Sequence, residues 1–583
     1  MSASAVPAGP LGAWEVSPGV VEFRLWAPRA AQAELLLDGV VHAMAAEAGG
    51  CFALTIAAHE GARYRFRVDG GDPVPDPASR WQPDGVHGDS AVLAPDYAWQ
   101  ARGWAGRPWS EAVIYEVHVG ACGGYAGLQA QLPALAAMGI TAIELMPVAE
   151  FPGRRNWGYD GVLPYAPASA YGTPRELKAL VDAAHAQGLM VLLDVVYNHF
   201  GPDGNYLHAY APAFFRDDAP TPWGEAIDFR QPAVRRYYLD NALMWLREYR
   251  FDGLRLDAVH AIVPNAFLGE LRAGIVAAMP AGQPVHLVLE NEANQASLLA
   301  GGYTAQWNDD FHNALHVLLT GEDEGYYAGF ADDPTAHLMR VLAEGFAWQG
   351  EADPHGKPRG EPSAGLSPDH FVIFAQNHDQ IGNRAFGERL RTLVSEPRLR
   401  AALALTALTP MIPLFFMGEP WGARAPFLFF TDFAPPLDET VREGRRREFA
   451  RFTAFADPQR RAQIPDPNAE ASFEASRTPL AEADQGEGQQ WREWFAHILA
   501  LRRTHLVAGL AQARSLGVRR LGEGAIAASW QLPDGHWHLA FNFGDAPVPL
   551  PAPADALLLA ENLDPARTQL PVDGFIAWRG DAQ

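Results

Sequence analysis

Lysine is almost absent from this chain: Lys178 and Lys357 are the only two among 583 residues, and arginine carries the rest of the positive charge. Cysteine is equally scarce. Cys51 and Cys122 fall in segments of different character, which excludes a disulfide framework. Positive charge is outweighed overall, with a net charge of -24 and a pI near 5.2. Such a surface repels nucleic acid and anionic membranes and favours a neutral or cationic partner. A long apolar span is also missing. The longest uncharged stretch, residues 401–417, contains Pro410 and Pro413 and fits a buried helix followed by a strand better than a membrane crossing. The start of the chain has neither a basic segment nor an apolar core, so no secretory signal is read there and a cytoplasmic location is expected.

What is present is enough apolar residue, 48%, to build several cores over this length. Residues 20–97 read as short alternating strands, among them Val21–Trp26 and Tyr64–Val68, broken by Gly, Pro and Asp. This predicts a first unit over 1–100, an immunoglobulin-like sandwich of the carbohydrate-binding-module type. From Ala112 the pattern changes to apolar strands alternating with amphipathic helices. One helix is read from Leu128 to Met138, closed by Gly139. Another starts at Thr173-Pro-Arg-Glu, with a capping residue and Pro in the first turn. Strands are read at 113–118, 141–145, 190–195, 253–257, 286–290, 304–307, 371–376 and 412–417. Eight such units over 101–505 predict a multidomain α/β protein built on a (β/α)8 TIM barrel, with catalytic groups at the carboxyl ends of the strands. Alternation returns after a helix near 489–505, so a C-terminal β-sandwich is expected over 506–583. The run Gly522-x-Gly524-x-x-Ala527 lacks a βαβ unit and reads as a hairpin, not a nucleotide site.

Four of these strands end in polar clusters: Asp194 to Asn198-His199, Arg255-Leu-Asp257 to His260, Glu290, and Asn377-His378-Asp379. Arg255 and Asp257 are two residues apart on an apolar strand and so share a face. A buried strand rarely holds two charges on one face unless a site requires them. The clusters suit glycoside hydrolysis, which needs one carboxylate as nucleophile and a second carboxylic acid to protonate the leaving oxygen. Asp257 and Glu290 end neighbouring strands, which lie about 4.8 Å apart, and a retaining enzyme needs about 5 Å between its carboxyl groups. Glu290 closes an apolar strand, where desolvation favours the protonated acid. Arg255 would hold Asp257 ionised. Asp379 is a third carboxylate, suited to gripping sugar hydroxyls as the ring flattens. His199 and His378 offer hydrogen bonds to hydroxyls, and Tyr159 and Trp223 offer faces for a pyranose.

In order and spacing, these segments resemble the conserved regions of the α-amylase family of glycoside hydrolases (family 13). The resemblance implies Asp257 as nucleophile, Glu290 as acid/base, Asp379 as transition-state stabiliser, α-glucan substrates and retention of configuration. Further stretches are similar to the malto-oligosyltrehalose trehalohydrolase family: Trp307-Asn-Asp-Asp-Phe-His312, Gly321-Glu-Asp-Glu-Gly-Tyr-Tyr327, Asn377-His-Asp-Gln-Ile-Gly-Asn383 and Pro426-Phe-Leu-Phe-Phe-Thr-Asp-Phe433. Asn313 departs from that pattern, which has a second His after His312. The resemblance implies cleavage of the α-1,4 bond next to a terminal trehalose, and a synthase that supplies malto-oligosyltrehalose. It also implies that Asn308, Asp309, Asp310, Phe311 and His312 lie by the substrate, with Arg255, His260, Gln380 and Asn383 completing the binding set. Amylases often bind calcium through an Asn equivalent to Asn198. No acidic cluster with calcium-loop spacing accompanies it, so no metal and no cofactor are expected. Rival readings are a glycogen branching enzyme, a debranching enzyme, and a non-catalytic glucan-binding barrel.

Overall fold

A computed structural model describes residues 9–221, 224–353, 356–552, 556–563 and 567–580. Two four-stranded antiparallel sheets form the N-terminal unit. One holds Gly12–Ser17, Val20–Trp26, Cys51–Ala57 and Ala45–Glu47; the other holds Val40–Ala43, Ala33–Leu37, Arg63–Val68 and Ser90–Ala91. Phe23 of the first sheet meets Tyr64 of the second edge to face at 4.9 Å, so the alternating apolar residues build the sandwich core.

The central unit is a closed barrel of eight parallel strands: β1 (Ile114–Val117), β2 (Ala142–Leu145), β3 (Met190–Val195), β4 (Gly253–Leu256), β5 (His286–Leu289), β6 (Ala305–Trp307), β7 (Phe371–Ile373) and β8 (Ile412–Phe416). All eight were legible as apolar runs because parallel strands covered on both faces need no polar alternation. Ile114, Ala142, Met190, Leu192, Val288, Ala305, Val372, Ile412 and Leu414 pack together as one buried cluster, so the lower barrel is a filled core. Above it the packing turns polar: Glu116, Glu144, Asp194 and Arg255 are all buried on their strands.

The helix at Pro174–Ala186 starts as its sequence predicts, with a reciprocal capping box between Thr173 and Glu176. The helix expected over Leu128–Met138 is instead two, Gly124–Gln129 and Leu132–Met138. Pro133 is the reason. It has no amide hydrogen to continue a helix but fits the first turn of a new one. After β3, the chain forms a short helix at Leu207–Tyr210 and a hairpin of Phe215–Thr221 with Gly224–Ile227. A C-terminal five-stranded antiparallel sheet comprises Arg514–Gly522, Ala525–Leu532, Gly535–Asn542, Gly574–Gly580 and Leu557–Glu561. The Gly522–Ala527 run is its first hairpin, with Gly524 at φ 66°. Among the described residues no helix is long and apolar enough to cross a membrane.

Candidate active site

The site is assembled where β3, β4, β5 and β7 end. Leu256 and Leu289 are register partners in the β4–β5 pairing, and Asp257 and Glu290 are the residues that follow them. The ladder continues past the strands: the Glu290 amide donates to the Leu256 carbonyl at 3.0 Å, and the Val259 amide donates to the Glu290 carbonyl at 3.0 Å. Both carboxyl groups are thereby fixed by backbone.

Arg255 is the hub. Its Nη1 lies 2.7 Å from Asp194 Oδ2 and 2.7 Å from Asp257 Oδ1, while Nη2 is 3.8 Å from Glu290 Oε2. The guanidinium is 1% exposed and lies 4.1 Å above the Trp307 ring. Burial opposes its charge, but Asp194, with Asp257 and Glu290, outweighs burial and holds it well above the usual arginine range. Asn198 Nδ2 donates to Asp257 Oδ2 at 3.0 Å, so Asp257 is gripped on both oxygens. Asn198 Oδ1 is engaged by His199 Nδ1. Both ends of the Asn198 amide are thus engaged inside the site. Among the described residues no group of three His, Cys, Asp or Glu converges as a metal site.

Glu290 is treated differently from Asp257. Burial pushes its carboxyl well above the ordinary glutamate range; Arg255 pulls the other way, and the charges of Asp257, Asp309 and Asp379 add to the rise. The Ala258 amide donates to Glu290 Oε2 at 2.6 Å. To aim it there, Ala258 takes a left-handed conformation, φ 41° and ψ 49°, which a residue with a Cβ adopts only at a cost.

Asp379 stands on a short helix, His378–Gly382, capped by Asn377. Its Oδ1 accepts a hydrogen bond from Asn383 Nδ2 at 3.1 Å and its carboxyl is about half exposed. Gln380, expected among the sugar contacts, instead accepts the Asn377 amide as part of that cap. Tyr159 lies face on against His378, centroids 5.1 Å apart, and donates its hydroxyl to Asp194 Oδ2 at 2.6 Å. His199 is nearly buried, and burial lowers its basicity. His260 is a quarter exposed and lies 3.9 Å from Glu292.

The expected Asn308–His312 cluster divides. Asp309 joins the site: burial, then the charge of Asp379, raises its carboxyl to about 7. The other four are buried behind it. Asn308 caps the helix Asp309–Thr320 and donates to the Gly345 carbonyl. Asp310 accepts from Asn294, the amides of Ala347 and Trp348, and Arg359. His312 bonds the Ala375 carbonyl and Tyr327, and Phe311 is core. Helical periodicity is the cause, since consecutive residues cannot share a face. Trp223 lies outside the described residues.

Two buried acids escaped the sequence reading. Glu116 on β1 contacts His378, and Glu144 beside it on β2 has both carboxyl oxygens buried without a hydrogen-bond partner among the described residues. The signal existed, since each is a lone charge within an apolar strand, the same cue that Arg255 gave.

Known proteins are similar to this chain along most of its length. The family model described as "Alpha amylase, catalytic domain" matches residues 87–213, and the "Domain of unknown function (DUF3459)" model matches 513–575. A malto-oligosyltrehalose trehalohydrolase from Deinococcus radiodurans is 42% identical over 521 residues, which cover 87% of this chain and 85% of that one. One from Rhizobium sp. (strain M-11) is 38% identical over 594 residues, covering 95% and 96%. A solved structure from Salmonella typhimurium, 44% identical, superposes with a TM-score of 0.93 over 98% of this chain and 99% of its own. The chain belongs to the malto-oligosyltrehalose trehalohydrolase family, within the α-amylase family of glycoside hydrolases.

Proposed function

We propose that the chain is a retaining glycosidase that hydrolyses the α-1,4 bond joining a malto-oligosaccharide to a terminal trehalose, and releases free trehalose. The observation that carries the reading is the pairing of Asp257 and Glu290 as adjacent strand-end carboxyl groups in opposite environments. Glu290, kept neutral by burial, gives its proton to the glycosidic oxygen as that bond breaks. Asp257, held on one oxygen by Arg255 and on the other by Asn198, attacks the anomeric carbon and forms a glycosyl ester. Water then attacks the same carbon, Glu290 takes its proton, and the ester bond breaks to restore Asp257. Two inversions give retention. Asp379, oriented by Asn383, grips sugar hydroxyls more strongly as the ring flattens toward the oxocarbenium ion.

Around this centre Tyr159, His199, His260, His378 and Asp309 contact the sugar, with Arg255 and Asn383 positioning carboxylates. Asn308, Asp310, Phe311, His312 and Gln380 support them from behind. The malto-oligosyltrehalose is supplied by a synthase, and the reaction runs in the cytoplasm, in keeping with two free cysteines. Incubation with malto-oligosyltrehalose and chromatography of the products tests the reading. Trehalose with a shortened malto-oligosaccharide is expected. New α-1,6 branches on amylose with no free trehalose would instead establish a branching transferase.

A further inference from the structure

We propose that Glu116, at the end of β1, is a positioning residue that fixes His378 with both ring nitrogens protonated, so that His378 meets the substrate as a charged donor. This rests on the reading of His378 as a sugar-hydroxyl contact and adds its charge state and the residue that sets it.

The geometry carries the inference. Glu116 is 1% exposed and His378 is 2% exposed. Glu116 Oε1 contacts the ring at Nδ1, and Glu116 Oε2 accepts the His378 backbone amide at 3.1 Å. One carboxylate therefore holds both the ring and the backbone of a residue 262 positions away. The opposite ring nitrogen, Nε2, lies 3.6 Å from Asp379 Oδ1. A neutral imidazole that donates from Nδ1 to Glu116 would turn an Nε2 lone pair toward the Asp379 carboxylate and could donate nothing to a hydroxyl there. With an acid on each side, the doubly protonated ring is the form that satisfies both.

The other groups around the ring agree. Tyr159 covers one face, and the ring centroids of Trp157 and Trp307 lie 5.5 and 6.1 Å from that of His378. Arg255 on β4 opposes the charge, and burial opposes it more, yet Glu116 and Asp379 prevail and raise His378 to about 9. His118, after β1, is pushed down to about 4 by burial, and the charge of His378 adds to that. Glu144 on β2 is kept neutral by burial and by Glu116. Asp194 on β3 and Asp257 after β4 are each bound to Arg255. Glu116 is thus the buried carboxyl group that contacts His378. A charged donor strengthens its hydrogen bond most when the sugar oxygen is fixed, in the transition state.

The experiment uses the full chain carrying histidine labelled with ¹³C at Cε1. His378→Asn identifies the signal among the 19 histidines. In the unaltered protein the His378 signal is expected to stay in its charged position until about pH 9. In Glu116→Gln it should cross to the neutral position near pH 6.5 or below. At pH 8 that variant should lose about tenfold in kcat with little change in KM, the difference between a charged and a neutral hydrogen bond. At pH 5.5 the gap should close. A neutral His378 signal in the unaltered protein at pH 7.5 overturns the proposal, whether or not Glu116→Gln folds. So does a charged signal that survives Glu116→Gln, or a kcat loss that is the same at every pH, which marks a purely structural pair. Failure to release trehalose would sink the reading of the reaction and leave the spectrum as it is, so the two failures are distinct.

Discussion

Asp257 and Glu290 each lie one residue beyond the register pair Leu256 and Leu289 that ends the β4–β5 ladder. Parallel pairing without a bulge leaves the two carboxyl groups on adjacent strand ends, and neighbouring strands lie about 4.8 Å apart, close to the roughly 5 Å that a retaining mechanism uses. Asp257→Asn should lower kcat on the order of 10⁴-fold, since it removes the nucleophile. Glu290→Gln should be as damaging with a natural leaving group. It should be far milder on a glycosyl fluoride, whose departure needs no proton. Equal losses on both substrates would rule out Glu290 as the acid.

The acid form of Glu290 depends on burial first and on neighbouring negative charge second. Activity should therefore extend well above the ordinary glutamate range and fail on the alkaline side as Glu290 ionises. Asp309 contributes to that rise. Asp309→Asn removes a negative charge, lets Glu290 ionise at lower pH, and should move the alkaline limb of kcat/KM toward acid. A limb that stays in place, or moves toward alkali, would separate Asp309 from the acid group.

Arg255 neutralises two acids in a place where water cannot. Arg255→Met leaves Asp194 buried with an unpaired charge and should cost about 3–5 kcal/mol of stability. A thermal melt reads the loss as a fall of several degrees. Arg255→Lys keeps one charge but lacks the forked geometry that reaches both carboxylates, so it should restore only part of the melting temperature. A full restoration would show that charge alone suffices.

Glu322 bonds Arg384 at 2.7 and 2.9 Å and His316 at 2.8 Å, and so ties the loop after the Asp309–Thr320 helix to the chain beyond Asp379. The hydrogen bond from Arg384, then that from His316, holds its carboxyl well below the usual range. A depressed carboxyl contributes stability that is complete above its unfolded value, about 4.3, and fades as pH falls further. Glu322→Gln should therefore melt below the unaltered protein at pH 7, and the difference should narrow below about pH 4. Because Glu322 is 41% exposed, solvent screening limits the effect to about 1 kcal/mol. A gap that widens in acid would contradict the assignment.

The barrel strands and three carboxyl groups were readable because each depends on local pattern. Apolar runs of strand length followed by a polar cluster report burial and termination within a few residues, and chain order supplies the rest. The same logic would have found Glu116 and Glu144, lone charges in apolar runs, but nothing local names their neighbours. Glu116 touches His378 only because the closed barrel returns β7 and β8 to β1.

The sequence by itself determined the fold class, the carboxylates and the hydrophobic pattern that buries their strands. The tertiary structure alone decided what surrounds each group and which of the Asn308–His312 residues lies forward of the buried ones. Only chain folding turned Ala258 left-handed toward Glu290, placed Arg255 between Asp194 and Asp257, and set Asp309 forward of Asp310. The physical reason is that a side chain's identity is local, whereas its protonation and exposure depend on burial and on charges brought within a few ångströms by distant parts of the chain.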